Sequence, residues 1–179
     1  MFQEYAKAIA QSPLNDWMIH CLREVYGLPP IIQTIHILSV AIIMATSVMI
    51  CLRMLGLAVP SQQLDEMMRR LLPWTWCALL ALFFSGIVFV IARPMRYFSN
   101  PVFGIKLALL IPVVLITWYF YFQNKRGNLL RPKTLTAQNE QMNFAVPVSF
   151  RLLAFVSLLL WIGIVLAGRW IAYAEYLFW

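Results

Sequence analysis

An all-α, integral-membrane, up-down four-helix bundle preceded by an interfacial amphipathic helix is the fold class that this sequence predicts. Three observations carry it. The 179 residues are 62% hydrophobic and 12% charged, whereas soluble domains run near half apolar and a quarter charged. Four apolar runs, at about residues 31–55, 72–93, 101–123 and 149–174, are each long enough to cross about 30 Å of hydrocarbon at about 1.5 Å per residue. Only short breaks separate them: Pro60–Arg70, Pro94–Pro101 and Asn124–Val146. Backbone groups cannot go unpaired in lipid, so such runs cross as helices, and short connections make neighbours antiparallel.

Residues 1–28 read as an N-terminal segment and 29–179 as the four-span domain. Within the first, residues 13–27 form an amphipathic helix lying on the membrane surface. Leu14, Trp17, Met18, Cys21, Leu22 and Val25 share one side, and Asp16, His20, Arg23 and Glu24 the other. Gly27 and Pro29-Pro30 stop that helix and begin the next with proline in its first turn. No apolar signal core follows an early basic cluster, so the first span is expected to be internal and retained.

Composition excludes several classes. The net charge of +7 sits at the ends of the apolar runs rather than on one polar face, which fits membrane topology and not a nucleic-acid partner. Cys21, Cys51 and Cys77 lack metal-site spacing and read as small packing residues. There is no nucleophile–base pair, glycine-rich phosphate loop or H-E-x-x-H motif. Without Asp or Glu inside the spans, a carboxylate proton relay is not expected either.

Basic residues also set the expected orientation. Arg53, Arg69, Arg70, Lys125, Arg126, Arg131, Lys133 and Arg151 gather at one end of the spans. Lys7, Arg23, Arg93, Arg96 and Arg169 gather at the other. The richer end should be cytoplasmic, so both termini should face outward. Trp170, Tyr173, Tyr176 and Trp179 suit an aromatic belt on the outer side, and Trp74 and Trp76 one on the inner.

Candidate functional residues follow from helical phase. On the first span Gln33, His36, Ser47, Cys51 and Met54 fall within about 60°, with Ser39 about 60° further round. Polar residues gathered on one side of an apolar span turn that side toward protein. On the second span Thr75, Gly86 and Arg93 share a face, and on the third Lys106, Leu110, Val113, Thr117 and Asn124 do so. The fourth offers Ser157, Gly163 and Gly168 for close packing. His36 and Lys106 lie at the same depth, near the end where Arg93, Arg96 and Arg169 finish. No span carries an acid at that level; Glu24 and Glu175 are the nearest candidates.

Uncompensated cations around one histidine point to a ligand from outside the chain. Haem b is one candidate, with His36 as the iron ligand and propionates reaching Arg93, Arg96 or Arg169. A quinone or lipid head group bonded to His36 and Gln33 is another. Copper(I) is a third, with Met44 and Met54 near the His36 stripe, although methionine at such spacing is ordinarily bundle packing. A non-catalytic membrane anchor or assembly subunit is the competing class.

Several segments carry a family resemblance. Ile35-His36-Ile37-Leu38 through Leu52-Arg53-Met54-Leu55-Gly56-Leu57, Leu72-Pro73-Trp74-Thr75-Trp76, Ser85-Gly86 and Asn100-Pro101-Val102-Phe103-Gly104-Ile105-Lys106 together resemble an uncharacterised bacterial four-helix membrane family, a domain of unknown function. That likeness covers about residues 29–123. More remotely, the His-then-Leu-Arg first span, the Pro and Gly of the second and the Lys of the third resemble the haem-containing membrane protoporphyrinogen oxidase and copper-resistance D families. The likeness implies that His36 is the haem-ligand histidine and Lys106 the third-span lysine. Where the oxidase family places Tyr-His at the end of its third span, this chain reads Trp118-Tyr119-Phe120-Tyr121. The expectation is a haem b- or quinone-linked redox subunit with its site around His36, Gln33, Ser39, Lys106, Arg93, Arg96 and Arg169. Lipid surrounds it, and a protein partner or second copy is expected beside it.

Overall fold

A computed structural model of the chain describes residues 2–58, 62–127, 131–132 and 144–170. Four long helices dominate it: α3 (Leu28–Leu55), α4 (Leu64–Ala92), α6 (Pro101–Lys125) and α7 (Val148–Trp170). All four are long and apolar enough to cross a membrane. Three short helices accompany them: α1 (Phe2–Ala10), α2 (Pro13–Glu24) and α5 (Pro94–Phe98). A two-residue antiparallel pairing, β1 (Arg131–Pro132) with β2 (Phe144–Ala145), lies between α6 and α7. The all-α membrane bundle expected from the sequence is the fold observed.

The exposed surface identifies the surrounding medium. Buried positions include Ser39, Thr46, Ser47, Thr75, Thr117 and Ser157, whereas Ile37, Leu38, Leu80, Phe83, Ile111 and Leu159 are exposed. Small hydroxyl residues inside with large apolar ones outside is the pattern of helices packed in lipid. The chain is a multi-pass membrane protein in contact with lipid.

Helix boundaries differ from expectation in three places. α4 begins at Leu64, about two turns before the expected 72, so much of the polar connector is helical. Asp65 and Glu66 in its first turn suit the positive helix end, and Leu64, Met67, Met68 and Leu72 bury against the bundle. Twenty-nine residues reach about 43 Å at 1.5 Å each, so α4 is longer than the bilayer core requires. The tight connector before α6 holds the single-turn helix α5, and residues 2–10 are helical although their mixed composition gave no such signal. The expected end of the fourth span (171–174) lies outside the described residues, as do Lys133, Tyr173, Glu175, Tyr176 and Trp179.

The turns have local causes. Gly56 caps α3 with φ of 78°, a left-handed conformation that only glycine adopts freely. Leu57 N–H then donates to the Leu52 carbonyl at 2.9 Å, and the Arg53 guanidinium donates from Nε to the Gln62 carbonyl at 2.8 Å. Around the bundle α3 packs against α4 and α7, and α7 packs against α6. The first and last spans are therefore neighbours.

The amphipathic helix predicted at residues 13–27 is α2, with its N-terminus capped by Ser12, whose side chain accepts from Asn15 N–H. It docks on α4, while α1 docks on α5. His20 is exposed, as its polar face requires. The face turned to the bundle is the one that carries Asn15. Asn15 is buried, and its Nδ2 donates to the Ile91 carbonyl at 2.5 Å. Leu14, Trp17 and Val25 are exposed. One polar anchor thus decides the rotation, leaving the apolar edge for lipid.

Candidate functional site: a histidine layer in the four-helix bundle

The bundle is built in layers, and a seven-residue step relates two of them. Ile43, Ala78, Val113 and Trp161 are one buried apolar layer, drawn from α3, α4, α6 and α7. Seven residues toward the α3 N-terminal end stand His36, Ser85, Lys106 and Gly168. Two helical turns return each to the same face, about 10.5 Å along the axis. The functional candidates on α3 and α6 therefore share one level with a serine from α4 and a glycine from α7.

Contacts within this layer are specific. His36 Nδ1 lies 2.9 Å from Ser85 Oγ. The single Ser85 hydroxyl hydrogen is directed at the Ala81 carbonyl, 2.6 Å away. With that hydrogen so placed, its oxygen accepts from His36 Nδ1–H, and in the neutral ring Nε2 then carries the lone pair. Gly86 lies under the ring: a Cβ there would stand 3.6 Å from His36 Cε1. Phe89 meets the imidazole edge-on, with centroids 5.9 Å apart. Three successive features of α4 hold the half-buried ring, and Nε2 takes no hydrogen bond among the described residues.

Lys106 crosses toward the neighbouring helix. Its Nζ would lie 3.6 Å from a Cβ on Gly168, an ordinary contact distance, so the ammonium packs directly over that glycine. It interacts electrostatically with His36. Among the described residues it has neither ion pair nor hydrogen bond.

The other expected site residues distribute differently. Ser39 is buried beside His36 but donates to the Ile35 carbonyl at 2.7 Å, on its own helix. Gln33 is exposed and makes no hydrogen bond to His36. Arg93, Arg96 and Arg169 are exposed at the same end, and Arg96 and Arg169 have partners of their own. Met54 shares the His36 face, yet eighteen positions separate them, about 27 Å of helix; it is buried with Met68 and Cys51. Among the described residues no group of three or more His, Cys, Asp or Glu converges. Ser85, the imidazole's one hydrogen-bond partner among the described residues, was not among the expected site residues. The heptad step from Ala78 was the available signal.

As a haem site the donor set fits in kind. A metal-bound histidine ordinarily donates its second ring N–H to a fixed acceptor, which sets the tautomer, and Ser85 does this for His36. Lys106, Arg93 and Arg96 supply positive charge at that end for carboxylates.

Together the fold and this layer define a polytopic four-helix membrane protein with an oriented intramembrane histidine. The chain belongs to a family of unknown function, DUF6644, whose model matches residues 18–174. The match reaches beyond residues 29–123 on both sides, taking in most of α2 and all described residues of α7. Comparison with curated proteins gives no match, and comparison with solved structures gives none.

Proposed function

We propose that this protein is a redox-linked subunit of a bacterial inner membrane, holding haem b through His36 Nε2. The observation that carries the reading is the His36–Ser85 bond: it commits Nδ1 as donor and leaves Nε2 with the lone pair that an axial iron ligand needs. When bound, haem supplies one-electron chemistry. The chain's own contributions are the oriented imidazole, the Ser85 acceptor behind it, and the positive charge of Lys106 nearby. The excess of basic residues at the Arg53 end supports a cytoplasmic assignment for that end, with both termini periplasmic. A membrane partner or a second copy of the chain completes the electron path in this reading.

A quinol is the second reading, favoured by Lys106. An Nε2 lone pair accepts from a hydroxyl, and an ammonium without an acceptor donates to a carbonyl oxygen. A two-ended lipid-soluble ring matches such a pair.

Protein purified from haem-replete cells and titrated with haem tests the first reading. A Soret band lost in His36→Ala and kept in His20→Ala supports it. Absence of any band, with a short-chain quinol perturbing the wild-type His36 NMR resonances but binding undetectably to Lys106→Met, moves the assignment to quinol. Failure of both leaves a membrane anchor, in which His36→Ala weakens assembly alone.

A further inference from the structure

The layer next to Ile43, Ala78, Val113 and Trp161, on the side away from His36, is polar. One turn on, α3 supplies Ser47, α4 Thr75, α6 Thr117 and α7 Ser157, all buried. Every span thus contributes at least one hydroxyl at one level. Between them, with Cys51 beside Ser157, lies a cavity that leaves about 20 Å³ to the centre of a water molecule. A single bound water needs roughly 10–15 Å³ on that measure and two to four polar partners.

Hydrogen bonds already made decide what the walls present. The Thr117 hydroxyl donates to the Val113 carbonyl at 2.8 Å. Thr75 donates to Thr46 Oγ1 at 2.8 Å, and Thr46 donates onward to the Ile42 carbonyl at 2.9 Å. Their hydrogens are committed, so Thr75 and Thr117 turn lone pairs to the cavity. Ser47 differs. It is only 7% exposed and lines the cavity, yet its hydroxyl takes no hydrogen bond among the described residues. The neighbouring Ser39 and Thr46 both bond back to a carbonyl one turn earlier. An accessible hydroxyl on a mostly buried residue, with its hydrogen unplaced and acceptors across a water-sized gap, is half of a bridge.

We infer that this cavity is a binding site for one water molecule, which accepts from Ser47 and donates to Thr117 and Ser157. It joins α3, α6 and α7 at a level where the Ser157 hydroxyl already meets Cys51 of α3, and it adds α6 to that contact. Thr75 and Thr46 make the direct bond between α3 and α4 at the same level. The water is the hub of a branched set of hydrogen bonds that, with the Thr75–Thr46 bond, reaches all four spans. No carboxylate lines the site, so its chemistry suits a neutral donor rather than a cation. The assignment does not depend on what His36 binds.

Thermal unfolding of the full chain in nanodiscs tests the site. Removing a hydroxyl that bridges through water lowers the midpoint of Ser47→Ala by roughly 2–5 °C, and Ser47→Val, which fills the gap with an apolar group, lowers it as well. Thr117→Val lowers it too, and the double variant Ser47→Ala/Thr117→Val falls by less than the sum, because both lose the same water. Water-to-protein magnetisation transfer at the Thr75 and Thr117 methyl groups supplies a direct readout. A dry cavity predicts the opposite: Ser47→Ala unchanged or raised, Ser47→Val raised, additive variants and no transfer. A midpoint that rises with sodium at constant ionic strength, and does so only with Ser47 intact, overturns water in favour of a cation.

Discussion

His36 on α3 and Ser85 on α4 are joined at 2.9 Å, and the serine's own hydrogen is spent on the Ala81 carbonyl. That pairing makes the imidazole a one-ended group, closed at Nδ1 and open at Nε2. Ser85→Ala is expected to leave the ring in place against Gly86 and Phe89 but release its tautomer. If haem binds, its affinity should fall about 10–100-fold, read by haem titration, while thermal stability changes by about 1 kcal/mol. Unchanged haem affinity in Ser85→Ala would remove the tautomer argument.

Gly168 tests the position of Lys106. A Cβ there meets Nζ at 3.6 Å, an ordinary contact, so Gly168→Ala should be near neutral. Gly168→Leu needs the space that the lysine occupies and should displace it, lowering the thermal midpoint by several degrees for a penalty of about 1–3 kcal/mol. Paired with Lys106→Ala, the leucine penalty should shrink. A penalty of equal size in both backgrounds contradicts the packing described.

The Thr46–Thr75 bond links two spans directly. Thr75→Val removes it and should cost about 0.5–1.5 kcal/mol. Thr46→Val should cost a similar amount, since Thr46 also donates to the Ile42 carbonyl. Because they share one interaction, the double variant should cost less than the sum of the two. Strict additivity in denaturation of the reconstituted protein would show that the bond contributes nothing.

Asn15 should behave as the latch of the N-terminal segment. Its amide reaches the Ile91 carbonyl, and Asn15→Ala removes a buried donor with no local replacement. Loss of about 1 kcal/mol should appear as faster amide exchange in α2, with α3 to α7 protected as before. Asn15→Asp, which cannot donate from the side chain when ionised, should loosen α2 at least as much.

What the sequence alone determined is the medium, the number of spans and the inward face of most of them. Length and hydropathy are one-dimensional properties, and the 3.6-residue period converts spacing into face without a neighbour. So Ser47, Cys51, Thr75, Val113, Thr117 and Ser157 were assigned inward correctly, and His20 outward. Gln33 showed the limit: it shares the His36 phase but lies too near the helix end to be covered. Which residue meets which across helices depends on the relative rotation and axial offset of two cylinders. No single helix encodes that. Only the tertiary structure made Ser85 the partner of His36, set Gly168 against Lys106, and gathered one hydroxyl from each span around a gap the size of a water. The rotation of α2 was likewise decided by a single amide reaching the open carbonyls at the end of α4, where one buried hydrogen bond outweighs an apolar edge that lipid can cover.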